Sequence, residues 1–256
     1  MLQGFNSGEA YGGAGDDTVS LVLDASAETL SGGTGDDVLI VTASAGAAVM
    51  TALHGKTGME LWLGGVLIDT ATEFERFSVY GGSLADLLTG GAGNDSLTGS
   101  LGNAGAGDTD TLFGGAGNDV LSGGAGADRI FGGAGADRAM GGLDADRLSG
   151  GADSDVFLYF SALESAVGAG RDLITDFIRG SDVIDLHVID ATPGDPLTND
   201  FRFLGRVGFD RAAGALIYGF AHGNTVISGD LDGNGTADFE IELVGKIHLT
   251  AVDFLL

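Results

Sequence analysis

The chain has no cysteine, only 2 prolines, and 11 Lys and Arg against 37 Asp and Glu in 256 residues. The missing cysteine excludes a disulfide framework, a thiolate zinc site and a cysteine nucleophile, leaving oxygen and imidazole as the metal ligands available. The shortage of basic residues leaves a formal charge of −26. That argues against nucleic acid or anionic lipid as a partner, because affinity for phosphate rests on Lys and Arg. No apolar run reaches the roughly 18 residues of a membrane span, and the first six residues, MLQGFN, have neither the basic nor the apolar region of a cleaved secretion signal. Glycine, by contrast, is abundant, with 48 residues beside a hydrophobic fraction of 44%. Such a chain is neither a disordered acidic tail nor collagen, so a core exists and a repeat must place the glycines.

The repeat has a period of nine. From Gly114 the sequence runs GGAGNDVLS, GGAGADRIF, GGAGADRAM, GGLDADRLS and GGADSDVFL without a gap to Leu158. GGSLADLLT begins at Gly81, GGAGNDSLT at Gly90, and GAGDTDTLF at Gly105 follows an irregular insertion from Gly99; isolated copies begin at Gly12 and Gly32. The shared pattern is Gly-Gly-x-Gly-x-Asp-x-apolar-x.

Glycines at the first, second and fourth positions let the backbone turn through positive φ and bring carbonyls close together. These are Gly90, Gly91 and Gly93; Gly114, Gly115 and Gly117; Gly123, Gly124 and Gly126; and Gly132, Gly133 and Gly135. The sixth position supplies a carboxylate, and the eighth sends an apolar side chain inward from a short strand. Nine residues make half a coil, so equivalent loops stack every eighteen. Asp86 then faces Asp110, Asp95 faces Asp119, Asp110 faces Asp128, Asp119 faces Asp137, Asp128 faces Asp146, and Asp137 faces Asp155; Asp17 and Asp37 hold the same position in the isolated copies. Carbonyl and carboxylate oxygens on flexible loops suit Ca²⁺ better than Mg²⁺ or a transition metal. The stripe Leu88, Leu97, Leu112, Leu121, Ile130, Ala139, Leu148 and Phe157 is the expected interior. It is narrow enough that folding is expected to couple to metal binding.

These tandem nonapeptides resemble the RTX, or hemolysin-type calcium-binding, repeats. The resemblance implies an all-β fold, a parallel β-roll or β-helix solenoid, together with export lacking a cleaved signal, an extracellular location and folding on external Ca²⁺. Leu84, Asp144 and Asp153 depart from the fourth-position glycine, and Ala139 thins the stripe.

The reading divides the chain into N-terminal rungs with irregular strands (1–80), the repeat roll (81–158) and a β-rich cap (159–256). Within 41–80, AAVMTAL, MELWLGGVLID and FERFSVYGG alternate like strands. After Leu158 the period stops, and DVFLYFSALES, RDLITDFIRGSDVIDL, NTVISGDLDGNGTADFEIELVG and LTAVDFLL resemble, in order, the C-terminal region of serralysin-type proteases. That implies a β cap closing the solenoid, and Ser161 and Glu164 have capping-box spacing for a short helix over 161–166. Asp253, Phe254, Leu255 and Leu256 resemble the acidic-plus-apolar ending read by type I exporters; the alternative is an edge strand completing the cap.

Asp230, Asp232, Asn234 and Asp238 have the spacing of the start of an EF-hand loop, but the twelfth position is Ile241. A calcium site and a polar hairpin turn both fit. Asp172, Asp176, Asp182 and Asp185 fit either further calcium ligands or a solvated acidic face, the latter slightly favoured, and Arg129, Arg138 and Arg147, at the seventh repeat position, read as shields for carboxylates. His54, His187, His222 and His248 form no HExxH motif and no GxSxG elbow is present, so no catalytic residues are assigned. The principal expectation is a non-catalytic calcium-binding module; the alternative is a surface-adhesion or glycan-binding module, with Trp62, Tyr80, Tyr159 and Tyr218 lining a groove, or a module serving a larger protein. An ice-ordering solenoid ranks lower because no stacked threonine array marks a flat face.

Overall fold

The computed structural model describes residues 2–3, 9–23, 29–43, 48–53, 58–63, 66–100, 108–193 and 200–256. Among these residues the chain forms two sheets and no α-helix, only 3-10 turns at Gly168–Gly170 and Ala251–Asp253. One sheet has ten strands, all parallel, running in sequence order from Leu2–Gln3 to Phe254–Leu255. The other has fourteen strands, from Glu9–Ala14 at one edge to Arg202–Gly205 at the other. The chain passes from sheet to sheet every half coil, the β-roll expected from the nine-residue period.

The alternation within each nonapeptide builds the roll. Leu112, Ile130, Leu148 and Ile174 stand in register across Thr111–Ala116, Arg129–Ala134, Arg147–Ala152 and Asp172–Ile174. Leu97, Leu121, Ala139, Phe157 and Ile184 do so in the facing sheet. All eight residues of the expected stripe are at most 2% exposed. A buried Leu or Phe contributes about 1.5–3 kcal/mol, so each half coil brings roughly one such anchor.

Two regions depart from the repeat. Val49–Leu53, Met59–Leu63 and Val66–Thr72 form an antiparallel meander rather than plain irregular rungs; its outer strands pair parallel with Leu87–Gly91 and Thr29–Thr34. In the C-terminal region Phe239–Leu243 pairs parallel with Asp172–Ile174, then antiparallel with Asn224–Asp230, which pairs with Ala215–Ala221. Phe201 packs edge-on against Phe239 at 5.7 Å between centroids.

The helix expected over 161–166 is a single turn. Ser161 Oγ accepts the Leu163 N–H and the Ser161 carbonyl accepts the Glu164 N–H. The chain then leaves the helical path because the Ser165 carbonyl accepts the Glu240 N–H, while Ser165 Oγ accepts the Asp172 N–H and donates to the Glu240 carbonyl. Tertiary pairing thus overrides the local cap.

Candidate metal centre

The sixth-position aspartates form two buried rows, one beside each sheet. All six expected pairs lie on adjacent coils, joined in one fashion: Oδ1 of the later aspartate accepts the backbone N–H of the earlier one. In one row the acceptors of the Asp86, Asp110, Asp128 and Asp146 amides are Asp110, Asp128, Asp146 and Asp172, at 2.7, 2.8, 2.7 and 2.9 Å. In the other, Asp95, Asp119, Asp137 and Asp155 donate to Asp119, Asp137, Asp155 and Asp182 at 2.7, 2.8, 2.9 and 3.2 Å. Upstream, Asp17 donates to Asp37 and Asp37 to Glu75 Oε2.

The second oxygen of each carboxylate carries the chemistry. Oδ2 of Asp37, Asp95, Asp110, Asp119, Asp128, Asp137, Asp146, Asp155 and Asp172 is buried without a hydrogen-bond partner. Asp86 and Asp182, near the ends of the described rows, instead accept N–H bonds from Gly82 and Ile178 through Oδ2. A buried carboxylate oxygen without a donor is costly, and a run of them points to a missing positive partner.

The orphan oxygens of Asp37, Asp95, Asp119, Asp128, Asp137, Asp146 and Asp155 each lie close to their own loop's first glycine. A Cβ on Gly90, Gly114, Gly123 or Gly132 would strike Oδ2 of Asp95, Asp119, Asp128 or Asp137, and also the carbonyl oxygen of Gly114, Gly132, Gly141 or Gly150 on the next coil. The first glycine is therefore required by close approach and not, as expected, by positive φ. The second and fourth positions do need that conformation: Gly115, Gly124 and Gly133 have φ of 113°, 112° and 120°, and Gly117, Gly126 and Gly135 have 113°, 120° and 120°. Gly91 and Gly93 are exceptions, absent from the positive-φ positions. Asp144 and Asp153 occupy the left-handed region at φ 79° with exposed side chains.

Burial pushes the row carboxylates above their ordinary value of 3.8, to about 6 for Asp86, Asp95, Asp119, Asp137 and Asp155 and about 7 for Asp110 and Asp128. Neighbouring carboxylates add to the rise and N–H bonds oppose it. Asp146 reaches about 9, from burial and then repulsion by Asp172, which itself reaches about 8 chiefly through burial. These are carboxylates in a setting that disfavours their charge unless a cation shares it.

The structure corrects the acidic cluster 172–185. Asp172 and Asp182 are 0% and 2% exposed and continue the two rows. Asp185 is also buried, and Asp176 accepts hydrogen bonds from Ser149 Oγ and the Gly150 and Gly151 amides. The repeat's own signature, an acid two residues before a buried apolar side chain, recurs in Asp172-Leu173-Ile174, Asp182-Val183-Ile184 and Glu75-Arg76-Phe77. Their irregular spacing hid them. Asp108, whose Oδ2 is also buried and unbonded, raises Asp86, Asp110 and Asp128.

In the C-terminal loop, single carboxylate oxygens of Asp230, Asp232 and Asp238 lie within 4.8 Å of one another. Asp230 accepts the Gly233 and Gly235 amides and Asp238 the Leu231 amide, while Asn234 bonds Asp232 and Thr236 and stands outside the group. The loop joins the antiparallel strands Asn224–Asp230 and Phe239–Leu243. Asp253 is fully buried: Oδ2 accepts the Thr250 amide and hydroxyl, and Oδ1 the Gly180 amide, with Phe254–Leu255 paired onto Val183–Asp185. The terminal motif is thus an edge strand in the folded protein, which leaves a role in export open.

Two further expectations fail. Tyr159 and Tyr218 are buried at 3% and 7% exposure, so they cannot line a groove with Trp62 and Tyr80. Arg129, Arg138 and Arg147 are exposed and make no ion pair among the described residues, so they do not shield the rows. His54 lies outside the described residues.

No curated protein matches the chain. Among solved structures, the AlgE6R3 subunit of the Azotobacter vinelandii mannuronan C5-epimerase is 23% identical, covering 68% of this chain and 80% of its own, with a TM-score of 0.38. The AlgE6R2 subunit of the same enzyme is 24% identical over 66% and 91%, with a TM-score of 0.33. The extracellular lipase LipA from Serratia marcescens is 15% identical over 97% of this chain and 38% of its own, with a TM-score of 0.25. The family described as Peptidase M10 serralysin C terminal matches residues 10–256. With nearly the whole chain matched, roll and cap together, this protein belongs to the serralysin C-terminal family.

Proposed function

We propose that the chain is a non-catalytic calcium-binding module of a secreted protein, exported by a type I system and folded by extracellular Ca²⁺. The observation that carries this reading is the double row of aspartates with one oxygen fixed on the backbone and the other buried without a donor. Oδ2 of Asp95, Asp119, Asp128 and Asp137, with the carbonyls of Gly114, Gly132, Gly141 and Gly150, supplies hard oxygen ligands at closely spaced positions. Hard ligands on flexible loops favour Ca²⁺ over Mg²⁺, with affinities of extracellular modules near 10⁻⁴–10⁻³ M. A bound cation supplies the charge that lets these buried groups ionise. Asp230, Asp232 and Asp238 form a subsidiary site of the same chemistry. The exporter reads Asp253–Leu256 before the cap closes over them.

Far-UV circular dichroism and sedimentation velocity on EDTA-treated protein at pH 8 test the first part. A cooperative gain of β signal and compaction with Ca²⁺, absent with Mg²⁺, is expected; a chain already compact in EDTA refutes it. For export, deletion of Asp253–Leu256 abolishes secretion in a strain dependent on its type I exporter. Unchanged secretion refutes the signal.

A further inference from the structure

The outer face of the fourteen-stranded sheet carries paired aromatic rings and paired arginines over the repeat coils. Its outward positions from Leu87–Gly91 to Asp172–Ile174 are, in register, Leu87, Thr111, Arg129, Arg147 and Leu173 in one line. Thr89, Phe113, Phe131 and Ser149 form the next line. Neither line contains an acid, in a chain of net charge −26. Leu87, Phe113 and Phe131 are 38%, 38% and 37% exposed.

Phe113 and Phe131 stack with centroids 4.9 Å apart and planes 8° apart. The next coil carries Ser149 where a third ring would continue the ladder, so the second face of Phe131 opens onto a groove of about 280 Å³. Arg129, Phe131, Arg147, Leu148, Ser149 and Thr175 line it. The gap is one coil wide, about 4.8 Å, the spacing at which the two existing rings stack. Arg129 and Arg147 stand side by side on neighbouring strands, a like-charge arrangement that destabilises a sheet, and neither has an ion-pair partner among the described residues. Asp176, beside the groove, is held by Ser149 Oγ and the Gly150 and Gly151 amides.

We infer that this face docks an extended acidic peptide segment carrying an aromatic residue, whose ring completes the stack over Ser149 while flanking carboxylates bridge Arg129 and Arg147. The dimensions fit a segment. Five rungs span about 19 Å, the length of about six extended residues, and a strip two residues wide is far below the roughly 800 Å² per partner of a folded interface. Aromatic and arginine side chains are the anchors that dominate such recognition. The global charge does not forbid it, because exposed charges beyond about 8 Å are screened at physiological salt.

Fluorescence anisotropy with a labelled Glu-Glu-Phe-Glu-Glu peptide, on the full chain in saturating Ca²⁺, tests the inference. The control is the equally charged Glu-Glu-Ala-Glu-Glu peptide, and circular dichroism follows folding in parallel. The Phe peptide binds at least tenfold more tightly than the Ala peptide. That advantage disappears in Ser149→Phe, which fills the gap from within, and both peptides bind more weakly to Arg129→Gln/Arg147→Gln; both variants fold on Ca²⁺ like the parent. Equal binding of the two peptides, undiminished binding by the arginine variant, or no binding up to millimolar peptide overturns it. The calcium reading is untouched by those results, since its readout is the dichroism.

Discussion

Removing the cation should invert the usual response of an acidic protein to pH. In the unfolded chain an aspartate titrates near pH 3.9, whereas in the metal-free roll Asp119 titrates at about 6 and Asp128 at about 7, because burial disfavours the charge. Between those values the folded form holds protons that the unfolded chain has released. Stability is therefore fully present below pH 4 and is lost as pH rises through 6 to 9. A rise from 3.8 to about 6 corresponds to about 3 kcal/mol for Asp119. Two such groups remove much of the 5–15 kcal/mol that holds a typical domain, and Asp146 and Asp172, raised to about 9 and about 8, keep their protons into the alkaline range. In EDTA the β signal and compactness should be greatest near pH 4.5 and fall steeply by pH 8; at pH 8 millimolar Ca²⁺ should restore both. A metal-free β signal that is constant, or that grows from pH 4.5 to 8.5, refutes the argument that these carboxylates are ionised only at the expense of the fold.

Four substitutions extend these tests. Asp119→Asn keeps an oxygen for the Asp95 amide and removes the buried charge, so in EDTA its β signal should persist to higher pH than the parent's, while its Ca²⁺ midpoint rises. Gly114→Ala places a Cβ against Asp119 Oδ2 and the Gly132 carbonyl and should cost about 1–3 kcal/mol of overpacking even in Ca²⁺. Gly168→Ala, at φ 83° with open space around it, should cost about 1 kcal/mol from backbone strain alone; equal thermal shifts for the two would contradict the close-approach argument. Asp253→Ala removes the acceptor of the Thr250 and Gly180 amides and should lower stability by about 1–2 kcal/mol, read as a lower urea midpoint at unchanged Ca²⁺ affinity.

Much of this was legible in the sequence because the repeat carries its own register. Nine residues with one acid and one apolar side chain fix which aspartate meets which, and the interior stripe from Leu88 to Phe157 follows directly. Where the period broke, local patterns misled. Asp172 and Asp182 lie 26 and 27 residues beyond Asp146 and Asp155 rather than 18, so their membership of the rows depends on how the chain between them folds. The alternation in 49–72 revealed strands but not their antiparallel order, which is set by pairing with Leu87–Gly91 and Thr29–Thr34. Ser161 and Glu164 advertised a helix that Ser165 cancels by bonding to residues 172 and 240. Charge composition hid the outer face of the wide sheet, since a global −26 says nothing about three coils that carry arginine or phenylalanine outward.

The aspartate ladder also has a polarity. Every amide in it is sealed by the carboxylate of the coil that follows, never the one before, and the last seals described come from Asp172 and Asp182 in the non-repetitive region. A chain emerging amino end first therefore presents each new coil unfinished, waiting on sequence still to come. The finished end lies downstream, so a chain cut after Leu158 would leave the Asp146 and Asp155 amides without the acceptors that seal them.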